Sequence, residues 1–391
     1  MRSRVGLMAA CVAVLGSVCA APQAEVGEVK VIHRAEGRYV GWPTACRLAN
    51  GDILAVYSGN RKGHVCPYGR VELVRSSDGG ETWSKPVVIA KTPLDDRDAG
   101  IVQLPDGKLL VTFFNSLAFM LKCYRTGAYR YDIPESEYAE WDRLYARAGG
   151  EKAKSICGNY AVWSRDRGRT WTKPKMLPSE YAQSPHGPIV LKNGSLLQIG
   201  AVDNGGAYGG RIAVSQSRDG GRSWKVLNPE LPRVEEEKSK QHSFVEPQVV
   251  ENPDGSLVAM VRYHGPNAYR VAEHLHTSIS KDGGKTWSPM TKTQINGYPP
   301  HLLRLKDGRI VCTYARRLKE YGFGEFAVVS SDGGVSWGEE ICLAKGVSDD
   351  LGYPSTVELP GGRLLTVFYQ QMSAGEKTSL AVVRWRLAPR Q

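Results

Sequence analysis

Two carboxylates and a phenol, Asp98, Glu246 and Tyr353, occupy one repeated place in the chain, nine residues ahead of a glycine that ends a turn. Trp42, Pro185 and Pro299 hold the same place in three further copies. The residues that follow are Pro43, Ala99, His186, Pro247, Pro300 and Pro354, with His301 after Pro300. Polar and aromatic groups in so proline-rich a setting point to a ligand site shaped by rigid backbone rather than to ordinary strand starts. Another histidine, His64, lies in Arg61-Lys62-Gly63-His64-Val65-Cys66-Pro67, within a stretch that has no acid between Asp52 and Glu72. Imidazole donates and accepts protons near neutral pH, so His64 is a candidate acid or base.

Two repeats reveal the elements that must position these groups. Strand–turn–strand units are centred on Gly51, Gly107, Gly194, Gly255, Gly308 and Gly362, each followed by an apolar strand such as Leu109-Leu110-Val111-Thr112-Phe113. The pattern Ser-x-Asp-x-Gly-x-(Thr/Ser)-Trp occurs at Ser76–Trp83, Ser164–Trp171, Ser217–Trp224, Ser280–Trp287 and Ser330–Trp337. Its aspartate can accept backbone N–H bonds inside the turn, its glycine allows positive φ, and its tryptophan packs back on the sheet. Six hairpins with five downstream turns imply an all-β chain of six four-stranded blades, a six-bladed β-propeller. The last unit lacks the Asp-Gly-Trp turn, so Val29-Lys30-Val31-Ile32 is expected to supply its outer strand and close the ring. The longest interval, 87 residues from Gly107 to Gly194, holds an insertion in blade two over about 116–158. There Tyr138, Trp141, Leu144 and Tyr145 recur at helical spacing behind Pro134, predicting a helix over Glu135–Ala148 that caps one face or merely packs on it.

Composition bounds the rest. With 391 residues, 43 glycines, nine tryptophans and 23% charged residues, the chain reads as a globular protein rich in tight turns. Arg2 and Arg4 precede an apolar run from Val5 to Val18, and small residues follow at Cys19, Ala20, Ala21 and Ala24. Residues 1–24 therefore read as a signal peptide and 25–391 as an exported propeller, secreted or periplasmic. No later apolar stretch reaches membrane length. The net charge of +11, about +9 without the signal, favours an anionic partner. The basic residues are spread along the chain, and nothing resembles a nucleic-acid module. Six cysteines lie beyond the signal, and Cys46 with Cys66, Cys123 with Cys157 and Cys312 with Cys342 would make three local pairs in an oxidising compartment. No Cys/His cluster has zinc spacing, so no structural metal is expected.

On these motifs the chain resembles the sialidase (neuraminidase) superfamily, whose Asp boxes its five Ser-x-Asp-x-Gly-x-(Thr/Ser)-Trp turns look like over essentially the whole mature chain. The resemblance implies a retaining glycosidase in which a tyrosine attacks the sugar and a glutamate is its base, with no cofactor. By position the tyrosine is Tyr353 in Gly352-Tyr353-Pro354-Ser355 and the glutamate is Glu246 in Phe244-Val245-Glu246-Pro247. An arginine that clamps the substrate carboxylate is matched by Arg262. The departures are specific. The family's first-blade Arg-Ile-Pro motif is replaced by Gly41-Trp42-Pro43-Thr44, and Arg61 or Arg97 is the candidate replacement charge. The family's acid before the first Asp box is missing; His64 stands nearest, with Asp96 or Asp98 as alternatives. For the family's fifth-blade arginine, Arg316 and Arg317 lie nearby, with Arg316 taken into the substrate-binding set, while Tyr321 or Phe323 stands closer to the expected register. Asp98, His186, His301 and Trp42 complete the expected substrate-binding set.

Three readings follow. The favoured one is an exo-glycosidase acting on sialic acid or a related acidic sugar of a glycan. The second is another enzyme of acidic glycans, including a lyase built on tyrosine and His64, His186, His242 or His301. The third is a glycan-binding propeller without catalysis, against which Glu246 and Tyr353 in common register weigh.

Overall fold

Apolar runs such as Ile53–Arg61 and Leu109–Ser116 are buried along nearly their whole length, as strands covered on both faces must be. The computed structural model describes residues 24–125, 134–202, 211–235, 242–265 and 274–388. Its strands form six antiparallel sheets of four. The innermost strands are Tyr39–Arg47, Asp95–Gln103, Ile189–Val190, Ser243–Glu251, His301–Arg304 and Leu351–Glu358. Five blades run from inside to outside in chain order, giving the six-bladed β-propeller that the repeats imply. In the sixth, Ala24–His33 is the outermost strand and pairs with Ser379–Leu387, with Val29 opposite Val383 and Val31 opposite Ala381. The ring is thus closed by joining the two ends of the chain. All but the last of the residues assigned to the export signal, Ala24, lie outside the described residues.

Each interface between adjacent blades has its own apolar cluster. Trp42, Ile53 and Tyr57 pack on Val367, Tyr369 and Val382 between blades one and six, and Leu54, Val56 and Val71 pack on Leu109, Val111 and Phe113 between one and two. The remaining four interfaces repeat the arrangement. The Asp boxes form outward turns with one hydrogen-bond scheme. In the first, Asp78 accepts the backbone N–H groups of Glu81 and Thr82 and the Thr82 hydroxyl, and the Trp83 indole donates to the Gly80 carbonyl at 3.2 Å. These bonds hold the Asp78 carboxyl down at about 2, the hydroxyl of Thr82 contributing most.

The insertion carries the predicted helix as Glu135–Arg147, with the fully buried Trp141 facing inward. Trp141 packs with Phe119, Leu94, Val65 and Cys66, so the helix sits against the blade-one loop that carries His64. Lys62 and Tyr68 of that loop both bind Glu137 of the helix.

Among the described residues Cys46, Cys66, Cys157, Cys312 and Cys342 are free thiols, so the local pairs Cys46 with Cys66 and Cys312 with Cys342 do not form. Cys312 and Cys342 lie on the second and fourth strands of blade five, with Phe326 and Val328 of the third strand between them. Cys46 lies near the turn end of its strand, whereas Cys66 follows the opposite end of the next one. Closeness in sequence does not bring cysteines together when a strand or the length of a blade separates them. The side chain of Cys123 lies outside the described residues, and the Cys157 thiol donates to the Asn115 carbonyl at 3.5 Å.

Candidate active site

The repeated position has a backbone reason. Trp42, Asp98, Glu246 and Tyr353 all adopt left-handed backbone, with φ of 54°, 50°, 49° and 52°. At each, the pairing with the next strand shifts register, between Gly41 and Thr44, Arg97 and Gly100, Val245 and Gln248, and Gly352 and Ser355. A bulge with one left-handed residue re-aims a side chain, and for non-glycine residues costs about 1–3 kcal/mol each. Proline cannot adopt positive φ, so Pro185 and Pro299 leave blades three and five without this device. Those two blades instead supply His186 and His301.

The four bulged residues converge. Tyr353 donates its hydroxyl to Glu246 Oε1 at 2.5 Å, and Arg262 donates to Glu246 Oε2 at 2.7 Å. The Arg262 guanidinium lies 3.8 Å from the ring centre of Tyr298. Arg317 lies 5.5 Å from the Tyr353 ring centre and 5.3 Å from that of Tyr298, and donates to the Tyr369 hydroxyl at 3.2 Å. Burial pushes the Tyr353 phenol well above its ordinary range, aided by the charges of Glu246 and Asp98 and opposed by Arg262 and Arg317. Burial also works against the Glu246 carboxylate. The Arg262 charge and the hydrogen bonds from Tyr353 and Arg262 outweigh it, so this group is held below its usual value. The resting proton therefore sits on the phenol, facing an ionised base.

Asp98 has the opposite character. It is 7% exposed, and burial raises it to about 7, with Arg97 opposing and the Glu246 charge adding to the rise. Two neighbouring carboxyl groups are thus split, one held below its ordinary value and one raised to about 7, which is the pattern of a base and an acid. Asp96 is held elsewhere: it accepts from the Thr92 backbone and hydroxyl and is raised by burial to about 6.

Trp42 is buried against Tyr39, Tyr353 and Tyr369, with the guanidinium of Arg97 4.3 Å and that of Arg61 4.9 Å from its ring centre. It backs the site as a wall. Arg61, expected as a replacement clamp, is fully buried and bound to Asp95 at 2.6 Å, so its charge is used inside the protein. Arg97 is 9% exposed and donates to the His64 carbonyl at 3.0 Å. His64 is half-buried, its ring edge-on to Trp42 at 5.0 Å.

His186 and His301 are buried, 5.0 Å apart, with His186 6.3 Å from the Tyr353 ring and bonded to Thr44. Burial lowers His186 to about 3, and burial with the neighbouring His186 lowers His301. They are a neutral floor beneath the tyrosine rather than groups at the mouth. Arg316 is a correction: it pairs with Glu340, donates to the Tyr321 carbonyl and lies over Phe326, on the side of its strand facing away from Tyr353. Arg317 is the arginine at the site, and strand alternation from Thr313 and Ala315 was the signal that could have found it. Tyr298 and Tyr369 were missed outright: Tyr369 lies on the second strand of blade six and Tyr298 just ahead of the first strand of blade five, away from the repeated position that located the others.

Comparison with known proteins accords with this geometry. Residues 143–366 match the family of BNR repeat-like domains. A sialidase of Bacteroides fragilis (strain YCH46) is 24% identical over 331 residues, covering 78% of this chain and 55% of that protein. The chain thus spans about half the length of that curated relative. A Dyadobacter fermentans DSM 18053 protein of unknown function superposes with a TM-score of 0.74 at 25% identity, over 94% of this chain and all of the other. The NanB sialidase of Streptococcus pneumoniae superposes with a TM-score of 0.60 at 16% identity, over 91% and 70% of the two chains, a likeness of fold alone. The match over more than half of the chain, joined to six blades and five Asp boxes, makes this protein a member of the BNR repeat-like domain family, a β-propeller related to the sialidases.

Proposed function

We propose that the protein is an exported, retaining exo-glycosidase that releases a terminal acidic sugar, sialic acid or a relative of it, from glycans. The observation that carries this reading is the 2.5 Å hydrogen bond from Tyr353 to an ionised Glu246, beside a carboxyl, Asp98, that keeps its proton near neutral pH. Glu246 takes the phenol proton as the Tyr353 oxygen attacks the anomeric carbon, and Asp98 gives its proton to the departing glycosidic oxygen. Water, deprotonated by Asp98, then attacks the same carbon; the bond to Tyr353 breaks and the proton on Glu246 returns to the phenol. Two displacements give retention. Asp98 is preferred to His64 as the acid, because it stands at the same bulged strand start as Glu246 and Tyr353 and burial raises its carboxyl to about 7. Arg262 and Arg317 are the cations placed to hold the carboxylate of the sugar.

The test is hydrolysis of fluorogenic sialosides, run beside ultraviolet detection of unsaturated products from uronate polysaccharides. Sugar release with retained configuration, lost by at least a thousandfold in Tyr353→Phe, is expected. An unsaturated product identifies a lyase and overturns the reading; glycan binding without turnover leaves a binding propeller.

A further inference from the structure

Close to Arg317 lies a carboxyl that the proposed reaction does not use. Glu325, on the third strand of blade five (Gly324–Ser330), is fully buried, and neither of its oxygens has a hydrogen-bond partner among the described residues. The strand register gives the reason. Glu325 is paired with Ala315 on the second strand and with Ala344 on the fourth, so methyl groups flank it where a donor would be needed. Residues directly opposite share one face of a sheet, and alternation puts Arg317 on that face too, two residues beyond Ala315. This face meets blade six, for a Cβ on Gly352 would lie 2.9 Å from the Ala315 Cβ and 2.8 Å from Arg317 Nη2. Gly352 directly precedes Tyr353.

Arg317 is 9% exposed, and its one hydrogen bond among the described residues goes to the Tyr369 hydroxyl. No described carboxylate pairs with it. A cation so buried is costly, and a carboxylate arriving on a ligand relieves that cost. Around it stand Tyr298 from the approach to blade five, Tyr353 and Tyr369 of blade six, and Arg262 and Glu246 of blade four. The charge that acts on Glu325 is that of Arg317. Burial raises the Glu325 carboxyl well above its ordinary range, with the Arg317 charge opposing the rise. We propose that Glu325 is a positioning residue that makes the site selective for acidic sugars: as a neutral carboxyl it leaves the Arg317 charge to a carboxylate of the ligand, and once ionised it takes that charge for itself. The role of Arg317 rests on the glycosidase reading; the proton on Glu325 does not. Affinity for a carboxylate ligand therefore holds while Glu325 keeps its proton and falls as rising pH removes it.

The experiment uses the full chain carrying Asp98→Asn, which takes the titration of Asp98 out of the profile. Infrared spectra, with those of Glu325→Gln subtracted, follow the carbonyl band of the protonated Glu325. Calorimetry across the same pH range gives Kd for free sialic acid and for a free uronic acid. The band is expected at neutral pH. As it disappears at higher pH, Kd for the bound acid should rise about tenfold, and Glu325→Gln should abolish that rise. Ala344→Ser sets a hydroxyl donor beside the carboxyl, so both changes should move down by about one pH unit. Absence of the band at neutral pH, a Kd indifferent to its loss, or a rise that persists in Glu325→Gln overturns the proposal. So does a band that survives in Ala344→Ser to the alkaline limit of the fold. Uronic acid bound with the expected profile and sialic acid not bound would uphold the role of Glu325 and overturn the sialic acid reading. Binding of neither acid at any pH overturns both.

Discussion

Asp98 couples the chemistry of the site to the stability of the fold. Its carboxyl is held at about 7 in the folded chain, against about 3.9 when unfolded. The folded state therefore binds more proton between those values, and stability falls as pH rises through that window, with the full penalty above it. Asp98→Asn should leave stability near pH 4 unchanged and raise it at about pH 8 by on the order of a few kcal/mol, as read from denaturant unfolding at the two pH values. The same substitution should cut turnover of substrates with poor leaving groups by about a hundredfold or more while sparing activated aryl glycosides. Wild-type turnover of the poor substrates should fall above about pH 7 as the proton is lost. A variant with unchanged turnover, or with no gain at high pH, would argue that Asp98 is neither acidic nor buried in the way described.

At the scale of elements, two devices position the site: bulged strand starts and the helix of the insertion. Blades two and three approach with backbone against backbone, for a Cβ on Gly100 would lie 2.3 Å from the Gly187 nitrogen. Gly100→Ala should therefore separate these blades next to Asp98, lowering the thermal midpoint and the activity together, whereas alanine at Gly107 meets no neighbour and should cost only the strain of its positive φ. The helix acts at longer range. Trp141→Ala removes a fully buried indole and should cost about 3–5 kcal/mol locally. Hydrogen exchange should then show residues 62–69 losing protection while the blade strands keep theirs. Uniform loss across all six blades would instead mean that the insertion belongs to the cooperative core.

At the scale of the molecule, the ring holds because its first described strand completes its last blade. Deleting residues 24–33 should expose the edge of Ser379–Leu387 and lower the midpoint of thermal unfolding by roughly 5–10 °C, with a tendency to aggregate, by calorimetry and light scattering. An unchanged midpoint would show that closure by this strand contributes nothing. Much of this architecture was legible in advance because a propeller is written in local repeats. The Asp boxes are turns whose bonds span four residues, and counting back from six glycines located Asp98, Glu246 and Tyr353 at equivalent strand starts. Tyr138, Trp141, Leu144 and Tyr145 announced the helix by period alone. Other features depend on what burial and neighbouring blades supply. Which of Arg316 and Arg317 enters the site depends on which face of one strand meets blade six, and the cysteines that looked paired lie across an intervening strand or at opposite ends of a blade. The left-handed φ shared by Trp42, Asp98, Glu246 and Tyr353 leaves no mark in residue type, since none is glycine. By itself the sequence determined six blades, the order in which they close and the common register of the candidate residues, because each rests on contacts between residues close in the chain or on a repeated count. The tertiary structure alone decided that the Glu246 carboxyl is held below its ordinary value and that of Asp98 is raised to about 7, because a carboxyl's proton answers to the water it has lost and to the charges that distant blades bring beside it.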